Sequence, residues 1–280
     1  MNGATKRACV IGWPIAHSRS PLIHGYWLKQ YGIAGSYTKQ PVRPDDVASF
    51  LRGLRERGLA GCNVTIPHKE AAFAAAAEKR PAAHAVGAAN TLWFERDRLI
   101  ADNTDSFGFI SHLRSSAPSF DARGCAVALL GAGGSSRAVI HAMLEAGAAE
   151  VRVFNRTRER ADAVARHFGP RVAPRDWRDR ADRSRDVGLL VNATSLGMQG
   201  GGDLDMPLTQ LTQTCVVADL VYVPLVTPLL AAAQVRGLAA VDGLGMLLHQ
   251  ATPGFEKWFG VKPEVTPELR ALVAADIEGR

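Results

Sequence analysis

The sequence predicts an α/β protein of two domains, and three observations carry that expectation. Short β-branched runs alternate with segments of helical length through most of the chain, the pattern of parallel sheets with helical crossovers. A fresh strand, glycine turn and helix begin near Gly124, part-way along. The chain has 280 residues, too many for one ordinary domain of about 150 and too few for three.

Candidate strands are Cys9 to Gly12, Tyr37 to Val42, Gly61 to Thr65, Cys125 to Leu130, Glu150 to Phe154, Gly188 to Asn192, Cys215 to Leu220 and Ala239 to Val241. Helix starts are signalled by a capping side chain next to an apolar or proline position: Ser20 before Pro21, Asp45 before Val47, Thr266 before Pro267. Thr91 to Asp102 reads instead as a hairpin, TLWFE and RLIAD turning at Arg96 and Asp97. It interrupts the alternation just before Gly124, so a domain change is expected between about residues 103 and 123.

Apolar residues make up 47% and charged residues 21%, a globular mix that excludes a disordered chain. Lys and Arg number 33 against 27 Asp and Glu, a net charge of +6 that favours anionic partners: nucleic acid, phosphates or carboxylates. Arg175 to Asp186 interleaves both signs without a series of stacking aromatics, which suits a solvated face better than a nucleic-acid groove. Cys9, Cys62, Cys125 and Cys215 share no metal or redox spacing, and each precedes an apolar run. Buried reduced thiols at strand starts and a reducing, cytoplasmic compartment are expected, with no metal site. The N-terminal apolar run is broken by Gly12 and Pro14, and neither a signal peptide nor a spanning segment of about 20 apolar residues is expected.

CAVALLGAGGSSRAVIHAMLEAG is a strand, glycine turn and amphipathic helix in the order a dinucleotide fingerprint requires. Gly131 permits the tight turn, Gly133 lets backbone approach a pyrophosphate, and the helix from about Gly134 offers free N–H groups. Gly131, Ala132, Gly133, Gly134 and Ser135 are the candidate phosphate set. Ser136 stands where a third glycine or alanine is usual, and a plain strand-to-helix turn is the blander alternative. In the next strand segment, EVRVFNRT, Asn155 stands 24 positions after Gly131, where NAD enzymes carry an Asp or Glu on the ribose. Asn155, Arg156, Thr157, Arg158 and Arg160 occupy this point instead. Guanidinium groups bind a 2′-phosphate that a carboxylate would repel, so NADP is predicted over NAD, unless the arginines merely decorate an exposed helix start.

In VIGWPIAHSRSPLIH, the hydroxyls of Ser18 and Ser20 stand at a strand-to-helix turn and could hold a carboxylate together with helix N–H groups. A cap and a loop residue are the plainer alternative. GCNVTIPHKE places Pro67 at the opening of a helix and Lys69 in its first turn, where the helix dipole disfavours a cation without a task. Asn90 in GAANTL and Asp105 in NTDSFG read locally as turn or cap residues.

These stretches, with NRTRER, NATSLGM, DLVYVPLVTPLL and DGLGMLLHQA, occur in an order in which the sequence resembles the shikimate dehydrogenases along nearly its whole length. The resemblance implies reversible NADPH-dependent reduction of 3-dehydroshikimate to shikimate, in the route toward aromatic amino acids. It also implies an N-terminal α/β substrate domain with a mainly parallel sheet, 1–105 plus 243–280, and a Rossmann-like NADP-binding domain, 106–242, with a cleft between them. By position, Ser18 and Ser20 become carboxylate binders, Thr65, Asn90, Asp105 and Gln250 hold ring hydroxyls, and Tyr222 is a further substrate contact. Lys69, with Asp105, becomes catalytic, and Gly243 and Met246 line the nicotinamide. Two positions depart from the usual pattern: Gly25 after His24, and His249 beside Gln250. A small-molecule substrate, no membrane or nucleic-acid partner, and a monomer or homodimer are expected. A quinate-and-shikimate enzyme using NAD, and a non-catalytic NADP sensor, are the rivals. Arg156 opposes NAD use, and the presence of Lys69 and Asp105 opposes the sensor.

Overall fold

The computed structural model describes residues 5–279, which form β1 (Lys6–Gly12), α1 (Ser20–Gln30), β2 (Gly35–Pro41), α2 (Val47–Arg52), β3 (Gly61–Val64), α3 (Lys69–Ala75), β4 (Glu78–Lys79), α4 (Pro81–Val86), β5 (Thr91–Glu95) and β6 (Arg98–Asp102). There follow α5 (Asp105–Ser116), β7 (Ala126–Leu130), α6 (Gly134–Glu145), β8 (Glu150–Asn155), α7 (Arg158–Phe168), β9 (Val172–Asp176), β10 (Leu189–Asn192), β11 (Val216–Asp219), α8 (Pro228–Val235), β12 (Ala239–Val241), α9 (Gly243–Phe259) and α10 (Pro267–Glu278). Two compact units result. The first runs to Thr104 and takes in Gln250–Val273; the second holds Asp105–His249 and the chain from Ala274.

The first unit's sheet has the order β2-β1-β3-β5-β6-β4. β1 runs parallel to β2 and β3, and β4 to β6, while β5 is antiparallel to both its neighbours because it leads the hairpin. Arg96, at the hairpin tip, has φ 55°, the left-handed value a tight connection demands. The second sheet, β12-β11-β10-β7-β8-β9, is wholly parallel. Its chain leaves β7 in one direction through β8 and β9, then returns to β10 on the other side, the doubly wound order. Val127, Leu129, Val151, Val153, Leu189 and Val191 build one side of its core, and Ala128, Leu130, Phe154, Leu190 and Val217 the other. Strands covered on both faces read as continuous apolar runs, which is why they are visible in the sequence.

Several expectations need correction. The helix after β1 includes Ser20 as its first residue and is preceded by Arg19 at the cap position, so Ser20 is not the cap; Ser18 Oγ accepts from Ser20 N–H instead, at 3.4 Å. A 3₁₀ turn over Pro44–Asp46 separates Asp45 from α2, and Asp45 caps nothing there. Pro67 precedes α3 rather than opening it. Cys9 lies fourth in β1, not at its start, and pairs in register with Cys62; both thiols are buried and free, as is Cys215, while Cys125 is half-buried and free. Thr266 does cap α10, accepting from Leu269 N–H at 3.3 Å. The short β4 and the edge strand β9, which contains Pro174, are additional. Among the described residues no helix is long and apolar enough to cross a membrane.

In the first unit an aromatic nest encloses His24 of α1. Its ring stacks on Tyr37 at 3.9 Å between centroids and meets Trp27, Phe255 and Trp258 within 5.8 Å. Burial drives its pKa down from 6.5 to about 3, opposed by a weaker contribution from Asn63. The folded protein therefore excludes a proton that the unfolded chain accepts. Stability is fully present above pH 6.5 and declines as pH falls from there toward 3, by up to ~1.4 kcal/mol per unit. Urea midpoints at pH 7.5 and 5 test this: His24→Phe is expected to lose markedly less stability on acidification than the parent, and an equal loss in both sinks the account.

Candidate functional site

β1, β3 and β6 point the same way, so the segments leaving them emerge at one edge, and antiparallel β5 begins there. That edge gathers most of the expected substrate residues of the first unit. After β1, Ser18 Oγ and Ser20 Oγ lie 3.3 Å apart, Ser18 half-buried and Ser20 buried. After β3, Thr65 N–H donates to Ile11 O at 2.9 Å, holding a half-buried Thr65 beside the end of β1. The buried His68 ring contacts Val42 O at 2.7 Å and precedes Lys69, the half-buried first residue of α3. Lys69 O accepts from Ala89 N–H at 2.9 Å, which fixes this helix start against the residue before Asn90.

Asn90 is the hub. It is 3% exposed, and its Oδ1 accepts from Thr104 N–H at 2.8 Å, Thr104 Oγ1 at 3.1 Å and Thr91 Oγ1 at 3.0 Å. Its backbone O accepts from Val64 N–H and from Asn63 Nδ2, and Asn63 Oδ1 in turn accepts from Tyr37 Oη at 2.6 Å. Burial holds the Tyr37 phenol well above its usual range. Both ends of the hairpin are thus locked to the strand that leads to Lys69, and Asp105 follows directly after the anchored Thr104 as the buried first residue of α5.

In the second unit the turn after β7 has the form a diphosphate requires. Gly131 sits at φ 105°, and a side chain there would come within 3.0 Å of Ala193 O. Gly133 and Gly134 have open space where a Cβ would lie, and Gly133, Gly134 and Ser135 are exposed ahead of the first turn of α6. Ser136 is fully buried and accepts from Gly133 N–H at 3.1 Å, so the departure from glycine or alanine adds a brace to the turn. Across the sheet, Asn155 Nδ2 donates to Thr157 O at 2.8 Å. Arg158 is paired with Asp162, whereas Arg156 and Arg160 are exposed and make no ion pair among the described residues. An open turn with unpaired guanidinium groups one strand away fits a 2′-phosphorylated dinucleotide. Tyr222 and Met246 are half-buried and Gly243 is buried, while Gln250, also on α9, is grouped with the first unit. Among the described residues no cluster of His, Cys, Asp or Glu could hold a metal.

Comparison with known proteins identifies the family. Residues 10–92 match the shikimate dehydrogenase substrate binding domain, 114–196 match shikimate / quinate 5-dehydrogenase, and 243–272 match the shikimate 5'-dehydrogenase C-terminal domain. A shikimate dehydrogenase (NADP(+)) of Azorhizobium caulinodans is 54% identical over 275 residues, 98% of each chain. The chain belongs to the shikimate dehydrogenase family. Among solved members of similar fold, the shikimate 5-dehydrogenase of Thermus thermophilus in complex with NADP(H) and shikimate is 37% identical, with a TM-score of 0.85, over 98% of this chain and 100% of that one. A quinate dehydrogenase from Corynebacterium glutamicum in complex with NAD is 28% identical, with a TM-score of 0.89, over 97% and 99%.

Beyond the residues legible in the sequence of this family member, the structure adds Tyr37, Asn63, Thr91 and Thr104 in the first unit and Asn192, Asp219 and Thr227 in the second. Polar residues inside otherwise apolar strand runs, as in GCNV and VVAD, are the available signal. Asp219 ends β11, 1% exposed, and accepts from Asn192 Nδ2 at 2.9 Å, Val221 N–H at 3.0 Å and Thr227 Oγ1 at 2.7 Å. Burial raises its pKa from 3.8 to about 6 against the pull of these donors. Truncation would orphan three buried donors, so Asp219→Ala is expected to destabilise the protein by ~2–4 kcal/mol in denaturant unfolding. A loss under ~1 kcal/mol would show that the cluster is dispensable.

Proposed function

We propose that this chain, an NADP-dependent shikimate dehydrogenase, reduces 3-dehydroshikimate reversibly with Ser18 and Ser20 on the substrate carboxylate, Thr65, Asn90, Asp105, Tyr222 and Gln250 on the ring oxygens, and Lys69 as proton donor and acceptor. The reading rests above all on one observation: a hydroxyl pair, an ammonium group and a locked amide share a single sheet edge in the first unit. Two hydroxyls 3.3 Å apart suit a carboxylate, which accepts from both.

NADPH, when bound, supplies the hydride. Everything else falls to the protein's own groups. Gly131, Ala132, Gly133, Gly134 and Ser135 would cradle the diphosphate, Asn155, Arg156, Thr157 and Arg160 the adenosine 2′-phosphate, and Gly243 and Met246 would border the nicotinamide. Lys69 gives its proton to the alkoxide oxygen that forms as the substrate carbonyl is reduced, and recovers one from the hydroxyl in the reverse direction. The substrate-binding domain is assigned to 1–105 plus 243–280 and the dinucleotide-binding domain to 106–242. The free thiols support a cytoplasmic setting, with the enzyme acting as a monomer or homodimer.

Initial rates with shikimate and with quinate, each with NADP and with NAD, test the assignment. Shikimate with NADP should be the fastest pair; faster turnover of quinate with NAD would transfer the chain to the activity of its Corynebacterium relative. In the same assay Arg156→Ala should weaken NADP binding by ~1.5–3 kcal/mol and leave NAD unaffected. An equal loss for both cofactors removes Arg156 from the 2′-phosphate. Lys69→Ala should lower turnover by ~10²–10⁴ with a smaller effect on substrate affinity. Retained turnover with a large rise in KM would make Lys69 a binding group only.

A further inference from the structure

At the junction of β12 and α9, Asp242 Oδ1 accepts from Gly245 N–H at 3.1 Å and so caps the first turn of the helix. The same oxygen lies 3.7 Å from Nε2 of His112, a buried residue of α5. The other ring nitrogen, Nδ1, stands 3.2 Å from Ser116 Oγ, one turn farther along α5. A Ser116 hydroxyl that donates to Nδ1 would put the ring proton on Nε2, toward Asp242, where 3.7 Å is an electrostatic approach rather than a hydrogen bond. The packing leaves the ring no slack: a Cβ at Gly245 would collide with Cε1 and Nδ1 of His112. His249, farther along α9, lies 6.0 Å away between ring centroids. Burial, together with His112, lowers the pKa of His249 to about 4, so it adds no charge here at neutral pH.

We propose that His112 is a positioning residue for the nicotinamide end of the cofactor site: through Asp242 it fixes the first turn of α9 and thereby Gly243 and Met246. The proposal rests on the reading above that these two residues border the nicotinamide. His112 acts through Asp242 and the helix start, not by touching the cofactor. The consequence is selective, because the phosphate cradle and Arg156 lie on other loops of the sheet. Binding of the nicotinamide half should depend on His112, and binding of the adenosine half should not.

The test is calorimetric titration of the full chain with NADPH and with adenosine 2′,5′-bisphosphate, which lacks the nicotinamide. His112→Phe is expected to weaken NADPH by about fivefold or more and to change the bisphosphate by less than about twofold. His112→Gln, whose side-chain amide can still donate toward Asp242, should recover most of the NADPH affinity. Asp242→Ala, which removes both the cap and the contact with His112, should show the same selective loss, and it carries the test if His112→Phe does not fold. Met246→Ala separates the two readings. If it weakens NADPH selectively while neither His112→Phe nor Asp242→Ala does, the positioning role is overturned and the nicotinamide assignment stands. If Met246→Ala also leaves NADPH unaffected, the nicotinamide assignment falls and the proposal with it. Equal weakening of both ligands by His112→Phe, with a lowered melting temperature, reduces His112 to a packing residue and overturns the proposal as well.

Discussion

The direction of a parallel strand governs where chemistry can be built in this protein. Neighbouring parallel strands deliver their chains to one edge, so the loops that follow them are neighbours however far apart they stand in sequence. In the first unit this brings the turn of Ser18 and Ser20, the turn of Thr65 and Lys69, and the exit of β6 to the same side. β5 contributes there by running the other way: its start, not its end, lies at that edge, which is why Asn90 precedes its strand. In the second unit the rule applies without exception. The glycine turn leaves β7, the arginine cluster leaves β8, Asn192 ends β10, Asp219 ends β11, and Asp242 follows β12. The winding reverses between β7 and β10, beside the glycine turn that follows β7.

Strand direction brings loops together, but buried polar networks decide their conformation, and the two units solve this with different side chains. Asn63 must accept from the Tyr37 hydroxyl and donate to Asn90 O and Thr91 Oγ1, a mixed demand that an amide meets without carrying charge. Asp219 meets donors only: an amide N–H₂, a backbone N–H and a hydroxyl. An acceptor-only carboxylate matches that set, and the desolvation it suffers shows as a raised pKa. Each network is costly to leave half-satisfied, so each allows its loops one arrangement rather than several. Thr104 and the segment after Asn192 inherit their geometry from these networks, since Asn192 Oδ1 accepts from both Thr194 N–H and Thr194 Oγ1.

What could be read in the sequence follows from the same physics. Strands buried on both faces are unbroken apolar runs, and their expected limits fall within a few residues of the observed ones. β9 is hidden because an edge strand has one unpaired side and can hold Pro174 and Arg175, residues that argue against a central strand. β4, two residues long, has too few positions to show any period. The start of α1 is ambiguous because a serine hydroxyl reaches a nearby N–H from either side of a turn, and the proline at position 21 does not say which serine does so. The glycine turn and the arginines after β8 are legible because both are departures from local preference: a left-handed backbone in one case, cations at a helix start in the other. Asn63 and His112 look ordinary because Tyr37 and Asp242, which they meet in the fold, lie far away along the chain, and Asp219 because the amide of Asn192 reaches it from another strand.

The net charge of +6 acquires meaning only once its distribution is known. Several arginines are already neutralised: Arg80 by Glu78 and Glu95, Arg152 by Glu150 and Asp186, Arg175 by Glu150, Arg180 by Asp205, Arg185 by Asp182. Exposed pairs of this kind add little stability each, about 0–1 kcal/mol, but they remove a guanidinium from competition for other anions. At the end of β8 the same device separates three neighbours. Arg158 is drawn back along α7 by Asp162, while Arg156 and Arg160 keep their charge uncommitted beside the open glycine turn. A phosphate approaching the end of β8 therefore meets two guanidinium groups that no acid among the described residues pairs. On the reading proposed above, selectivity for the 2′-phosphate would depend as much on Asp162, which takes up Arg158, as on the two arginines left free.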